Sequence, residues 1–108
     1  MPIGTKAELS PQGNGATGTI VLFAPREFTV INFSYNGQCP VTDIRLGMEG
    51  FPKPPLAVLE YLAPRAYQNE SLTISIPPEL PAGSANAVFV YCNTHDSLLG
   101  WGRLIPPP

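Results

Sequence analysis

The sequence predicts an all-β domain, an antiparallel β-sandwich or partly closed barrel of about six to eight short strands. Three observations predict it. Apolar and β-branched residues alternate with polar ones in several short runs, the period-two pattern of strands with one buried face. Fourteen prolines and ten glycines among 108 residues punctuate the chain so often that no long helix can be drawn through it. A hydrophobic fraction of 44% against 13% charged residues suits one modest core and argues against a disordered chain.

Each element follows from its own residues. Residues 18–23 (GTIVLF) alternate, with Ile20 and Leu22 on one face. Residues 27–35 (EFTVINFSY) are β-branched and aromatic, the strongest strand signal in the chain. Their apolar phase slips between Val30 and Ile31, which requires either two buried faces or a bulge. Asn36-Gly37 then forms a turn, because both residues tolerate positive φ. In the strand 41–46, Ile44 and Leu46 point inward and Asp43 and Arg45 outward. Residues 47–55 (GMEGFPKPP) are loop. Leu56, Leu59 and Leu62 have helical spacing, but the run 56–62 is only seven residues long and lies between prolines, so a helical turn and a short edge strand fit equally. Residues 71–76 alternate strictly, with Leu72, Ile74 and Ile76 on the core side. The loop 77–84 (PPELPAGS) cannot join a central ladder. Residues 85–92 (ANAVFVYC) form a strand buried on at least one face, and 100–105 a short last strand.

The expected organisation is an N-terminal extension over 1–12, one β domain over 13–105, and the start of a Pro-rich linker at 106–108. The N-terminus lacks the apolar region of a signal peptide, so the chain is either cytosolic or a mature or excised domain with a start methionine added; the closing Pro106-Pro107-Pro108, read as the start of a stiff linker, favours the second. No apolar run approaches the roughly 20 residues that span a bilayer, so this domain is not expected to insert in a membrane. A net charge of −2, with the basic residues scattered, gives no reason to expect nucleic acid as a partner. Asn32-Phe33-Ser34 and Asn69-Glu70-Ser71 match the glycosylation tripeptide, which makes Asn32 and Asn69 candidate glycan acceptors in a secreted protein.

Two cysteines, Cys39 and Cys92, concentrate the chemistry. In a small extracellular domain such a pair most often forms a structural disulfide. Closing a loop of about 50 residues stabilises a fold by roughly 4 kcal/mol in the chain-entropy model. A metal or haem contact and two free thiols are the alternatives. Ser71, Ser75, Ser84 and Ser97 lack a nucleophile-elbow context, and one histidine without a paired acid does not make a hydrolytic triad. Asp43 and Glu60 carry no visible pairing. Trp101, between Gly100 and Gly102, is read as packing or as a cap of the sandwich, with a sugar or an electron-transfer partner as the alternative.

Several segments resemble the DM-thirteen domain. Asn14-Gly15-Ala16-Thr17-Gly18-Thr19-Ile20 resembles its opening His-Gly-x-x-Gly-Thr-Val. Ile31-Asn32-Phe33-Ser34-Tyr35-Asn36-Gly37-Gln38-Cys39-Pro40 resembles its x-Asn-Phe-x-Tyr-Asp-Gly-x-Gly-Pro, with Cys39 where that family carries glycine. The strand 69–76 followed by Pro77 resembles its Asn-x-Thr-Ile-x-Leu-x-Leu-Pro, and Ala87-Val88-Phe89-Val90-Tyr91-Cys92 its x-Leu-Ser-Val-Trp-Cys. An aromatic-glycine pair, Trp101-Gly102, follows in both. The resemblance implies an extracellular β-rich electron-transfer module, with Cys92 as redox centre or metal ligand. It also implies partner domains of a larger secreted or membrane-anchored protein, such as haem-binding DOMON or b-type cytochrome domains, with haem held by the partner.

A second resemblance involves the same end of the chain. Phe89-Val90-Tyr91-Cys92-Asn93-Thr94-His95 is similar to the cupredoxin copper loop, in which Cys-x-x-His closes the site. Blue copper needs a second histidine, and His95 is the only one here. Leu98, Leu99 and Gly100 stand where the axial methionine is expected, and Met48 is distant in sequence. A depleted copper site of Cys39, Cys92 and His95 is what these residues allow.

Three functions fit the sequence. The expected one, implied by the DM-thirteen resemblance, is an extracellular redox-associated electron-transfer module using Cys92 and Cys39, without self-contained catalysis. Another is a non-catalytic binding or structural module stapled by a Cys39–Cys92 disulfide. The third is a degenerate cupredoxin-like metal binder.

Overall fold

A computed structural model of the chain describes residues 1–12, 15–80 and 85–108. Gly13, the first residue of the expected β domain, and Asn14, the first of the DM-thirteen-like opening, lie outside the described residues, as does 81–84 with Ser84. Eight strands follow one another: β1 (Lys6–Pro11), β2 (Thr17–Ala24), β3 (Glu27–Tyr35), β4 (Thr42–Gly47), β5 (Ala57–Tyr61), β6 (Tyr67–Ser75), β7 (Ala87–Cys92) and β8 (Ser97–Arg103). All pairings are antiparallel, in the order β5-β4-β7-β8-β1-β2-β3-β6. The sheet curls into a nearly closed barrel and has no helix among the described residues. The all-β prediction therefore holds.

Strand β1 joins the two halves. Its residues Lys6–Leu9 pair with β2, while Ser10 and Pro11 pair with Trp101 and Gly100 of β8. The stretch expected as an N-terminal extension thus lies in the middle of the sheet. Its pattern explains why: Ala7 and Leu9 are buried, and Lys6, Glu8 and Ser10 face solvent. The core fills the space between the halves. Ile20, Leu22, Phe28, Val30, Phe33 and Ile74 come from one side, and Ile44, Leu46, Val88 and Val90 from the other.

Other elements settle the open alternatives. The phase slip in β3 is a bulge: the register with β6 shifts between Val30 and Phe33, and Asn32 adopts φ 54°. The bulge turns Phe33 into the core and leaves Ile31 40% exposed. Residues 57–61 are an edge strand, not a helical turn. Strand β6 begins earlier than the strict alternation of 71–76, and β8 begins at Ser97 and ends at Arg103.

Strands β4 and β7 differ from the alternating pattern because all six residues of each are buried. Asp43 and Arg45 do point away from the core, as expected. They are nonetheless only 0% and 4% exposed. The loop after β4 folds back over this outer face, and Arg45 Nη1 donates to the Pro52 carbonyl at 3.0 Å. A second, smaller packed layer results, outside the main core.

The Asn36-Gly37 turn is needed where the sequence puts it. Gly37 has φ +74°, and a Cβ there would sit 2.3 Å from the Arg65 carbonyl carbon. Both the conformation and the backbone neighbour exclude a side chain. Gly37→Ala is expected to destabilise the domain by about 2–3 kcal/mol in urea unfolding. A loss under about 0.5 kcal/mol would mean that the 63–66 segment yields easily.

Candidate functional site

The turn after β3 and the end of β7 bring the two cysteines together. Thr42 pairs with Cys92 in the β4–β7 ladder, and Cys39 lies three residues before Thr42. Cys39 and Cys92 form a disulfide, with Cα atoms 5.9 Å apart. The two residues are 4% and 1% exposed. Side chains around the bond fix its ends. Tyr35 Oη accepts from the Cys39 N–H at 3.0 Å and is 2.9 Å from Thr42 Oγ1. The His95 backbone N–H points at Cys92 Sγ, 3.3 Å away.

One wall of this disulfide borders a pocket of about 260 Å³, lined by Tyr35, Gln38, Cys39, Cys92, His95 and Leu99 among others. The three residues proposed from sequence as a metal set therefore do meet at one place. Both sulfurs are committed to the disulfide, so neither is a thiolate ligand in this state. Among the described residues, no group of three or more His, Cys, Asp or Glu side chains is arranged to hold a metal ion. Met48 belongs instead to a tight turn closed by the Phe51 N–H donating to its carbonyl at 2.9 Å.

A polar network that the sequence did not suggest holds the Cys92 loop on its other side. Arg45 donates from Nε and Nη2 to the two oxygens of Asp43, both at 2.7 Å. Asn93 closes the triangle, accepting from Arg45 Nη2 at 3.0 Å and donating from Nδ2 to Asp43 at 2.7 Å. The Arg45 guanidinium lies 4.4 Å from the Tyr91 ring centroid, a cation–π contact. Tyr91 Oη in turn donates to the Asp96 carboxylate, which also receives Lys53 Nζ at 2.6 and 2.8 Å. No buried side-chain nitrogen or oxygen among the described residues lacks a partner. The one signal for this network was the opposite charges at Asp43 and Arg45, two apart and so on one strand face.

The charges respond to these neighbours. The Asp43 hydrogen bonds raise Arg45, overriding the opposing effect of burial. Burial, followed by the hydrogen bond to Asp96, pushes the Tyr91 hydroxyl up. The Lys53 ammonium, followed by the Tyr91 hydroxyl, holds Asp96 below the usual carboxylate range. A carboxylate lowered in the folded state contributes stability that is present above its unfolded pKa of about 3.9 and is lost as pH falls through the folded value. Unfolding midpoints should therefore fall from pH 7 to pH 3 more in the parent protein than in Asp96→Asn. Equal losses in the two proteins would remove Asp96 from the acid response.

The other sequence candidates lie elsewhere. Asn32 and Asn69 are both exposed, at left-handed positions of β3 and β6 with φ 54° and 50°. The Asn69 N–H donates to Ser34 Oγ at 3.0 Å. Trp101 is half-buried on the outer face, its ring stacked on Phe89 at 6.5 Å. Glu60 is exposed on the edge strand. Comparison with known proteins finds no matching family model, no matching curated protein and no matching solved structure.

Proposed function

We propose that this domain is a secreted or cell-surface binding module, without catalysis of its own, in which the Cys39–Cys92 disulfide is a structural staple. The observation that carries this reading is the burial of both cysteines, at 4% and 1% exposure. A working redox pair has to meet its electron donor or attacking thiolate, and a staple does not. The staple ties the β3–β4 turn to the end of β7, across a separation of 53 residues. A lasting disulfide belongs to an oxidising compartment, which is why the module is read as extracellular.

Equilibration of the native protein in glutathione buffers, followed by alkylation and intact mass, tests this reading. The expected midpoint lies below about −300 mV, the range of structural disulfides. A midpoint near −200 mV or higher would make the bond a working redox centre and overturn the staple.

One feature favours the electron-transfer reading as a second possibility. The 260 Å³ pocket opens along the disulfide beside His95. In that reading two electrons and two protons convert the Cys39–Cys92 bond to two thiols. The electrons come one at a time, in two successive deliveries from the haem of a DOMON-like or cytochrome-type partner domain, and the protons from solvent, in keeping with the DM-thirteen resemblance.

A further inference from the structure

The outer face of β7 and β8 carries a second cleft, away from the disulfide, of about 230 Å³ and lined by Glu49, Gly50, Pro52, Phe89, Leu98 and Trp101. We infer that this cleft binds one sugar ring of an oligosaccharide. The inference rests on the binding-module reading and names its class of ligand.

Size and floor come first. Pockets for drug-sized ligands begin at about 300 Å³, so this cleft suits a single ring. Its floor is aromatic, with the Phe89 and Trp101 rings inclined by only 25°. Phe89 is 1% exposed, so Trp101 is the ring a ligand meets. The C–H face of a pyranose is apolar and packs on such a ring, while its hydroxyls project from the edge.

The rim supplies what those hydroxyls need. Arg103 lies two residues beyond Trp101 on the same strand face and pairs with Glu49, Nε to Oε1 at 2.6 Å and Nη2 to Oε2 at 2.8 Å. Both side chains stay open to solvent, at 61% for Arg103 and 35% for Glu49. The pair therefore offers spare guanidinium N–H donors beside spare carboxylate lone pairs. Neighbouring hydroxyls on one ring donate to the carboxylate and accept from the guanidinium. A proline-rich peptide has no N–H on its prolines for Glu49, and an aliphatic chain satisfies neither group.

The cleft is also built in advance. The Glu49 N–H donates to Asn86 Oδ1 at 2.7 Å, and the Asn86 N–H donates to the Gly47 carbonyl at 3.1 Å. Gly50 turns the wall with φ +86°. On the opposite side of β8, a Cβ at Gly102 would lie 2.5 Å from the Glu8 carbonyl oxygen, and one at Gly100 2.7 Å from that of Ala16. Strand β8 is thus seated closely against its neighbours, with Trp101 projecting outward. Little ordering remains to oppose binding.

Trp101 is the only tryptophan, so its fluorescence reports on this cleft alone. The oxidised protein is titrated with soluble cello-, malto- and chito-oligosaccharides, and with oligoproline for comparison. The expected result is a saturable emission change with at least one saccharide, at a Kd of about 1 mM or tighter. Glu49→Gln and Arg103→Gln, each checked for the parent's circular dichroism, should weaken it about tenfold or more. No saturation with any of the three saccharides overturns the inference, as does saturation that both variants leave unchanged. Saturation by oligoproline alone also overturns it and identifies a peptide ligand, leaving the binding-module reading intact. That reading fails separately, on the disulfide potential.

Discussion

Replacing both cysteines, as Cys39→Ala with Cys92→Ala, is expected to lower the free energy of unfolding by about 4 kcal/mol. The separation of 53 residues sets this figure in the chain-entropy model, because the bond removes a long loop's freedom from the unfolded chain. Domains of this size are typically stable by about 5–15 kcal/mol, so the loss takes a large share. Urea unfolding measures it. The m-value should rise in the variant, since an unbridged unfolded chain exposes more surface. A loss below about 1 kcal/mol would mean that the two ends are held mainly by other contacts. The Tyr35–Cys39 hydrogen bond and the β4–β7 ladder are the contacts in question.

The next largest effect concerns the layer outside the core. Asp43→Ala is expected to cost about 3–5 kcal/mol, because it leaves the Arg45 guanidinium buried without its carboxylate. Arg45 is 4% exposed, and the loop across it prevents it from turning to water without unfolding that layer. Replacing both partners, as Asp43→Leu with Arg45→Met, should cost far less, about 1 kcal/mol or under. Asn93 is exposed and can hydrate the groups it loses. Denaturation of Asp43→Leu, Arg45→Met and the double variant closes the cycle. A double variant as unstable as Asp43→Ala would show that the cost lies in the packing of the site and not in the stranded charge.

Much of the fold was legible in the sequence because single-strand signals were strong. The β-branched and aromatic run of β3 and the alternation of β2 identified themselves, and the slip at Val30–Ile31 narrowed the irregularity to a bulge or two buried faces. Strand β1 was missed although Ala7 and Leu9 alternate with polar neighbours. Two apolar positions, one of them an alanine, are too few to separate a strand from an extension. At 56–62 three leucines at helical spacing competed with strand formation. Pairing with β4, a tertiary effect, decided for the strand.

The candidate site was legible in part, and for similar reasons. Composition made the disulfide the first expectation, and the turn and strand end carried its two halves to one place. Alternation places Arg45 and Asp43 on the correct strand face, but that face is covered and not solvent-exposed. Nothing local in 47–55 reveals that this loop folds back over β4 and β7. The same fold-back creates the cleft at Trp101, since Gly50 and Pro52 form its wall. Cross-strand neighbours such as Phe89 and Trp101 are set by register, which the residue pattern of either strand leaves open.

Reduction of the native protein by dithiothreitol, with alkylation and intact mass at timed intervals, tests the buried staple most directly. The predicted result is a pair that gains no label until the domain opens, reduced at least about a hundredfold more slowly in buffer than in denaturant. Reduction in buffer at the denatured rate would contradict it, making Cys39–Cys92 an accessible bond poised for exchange.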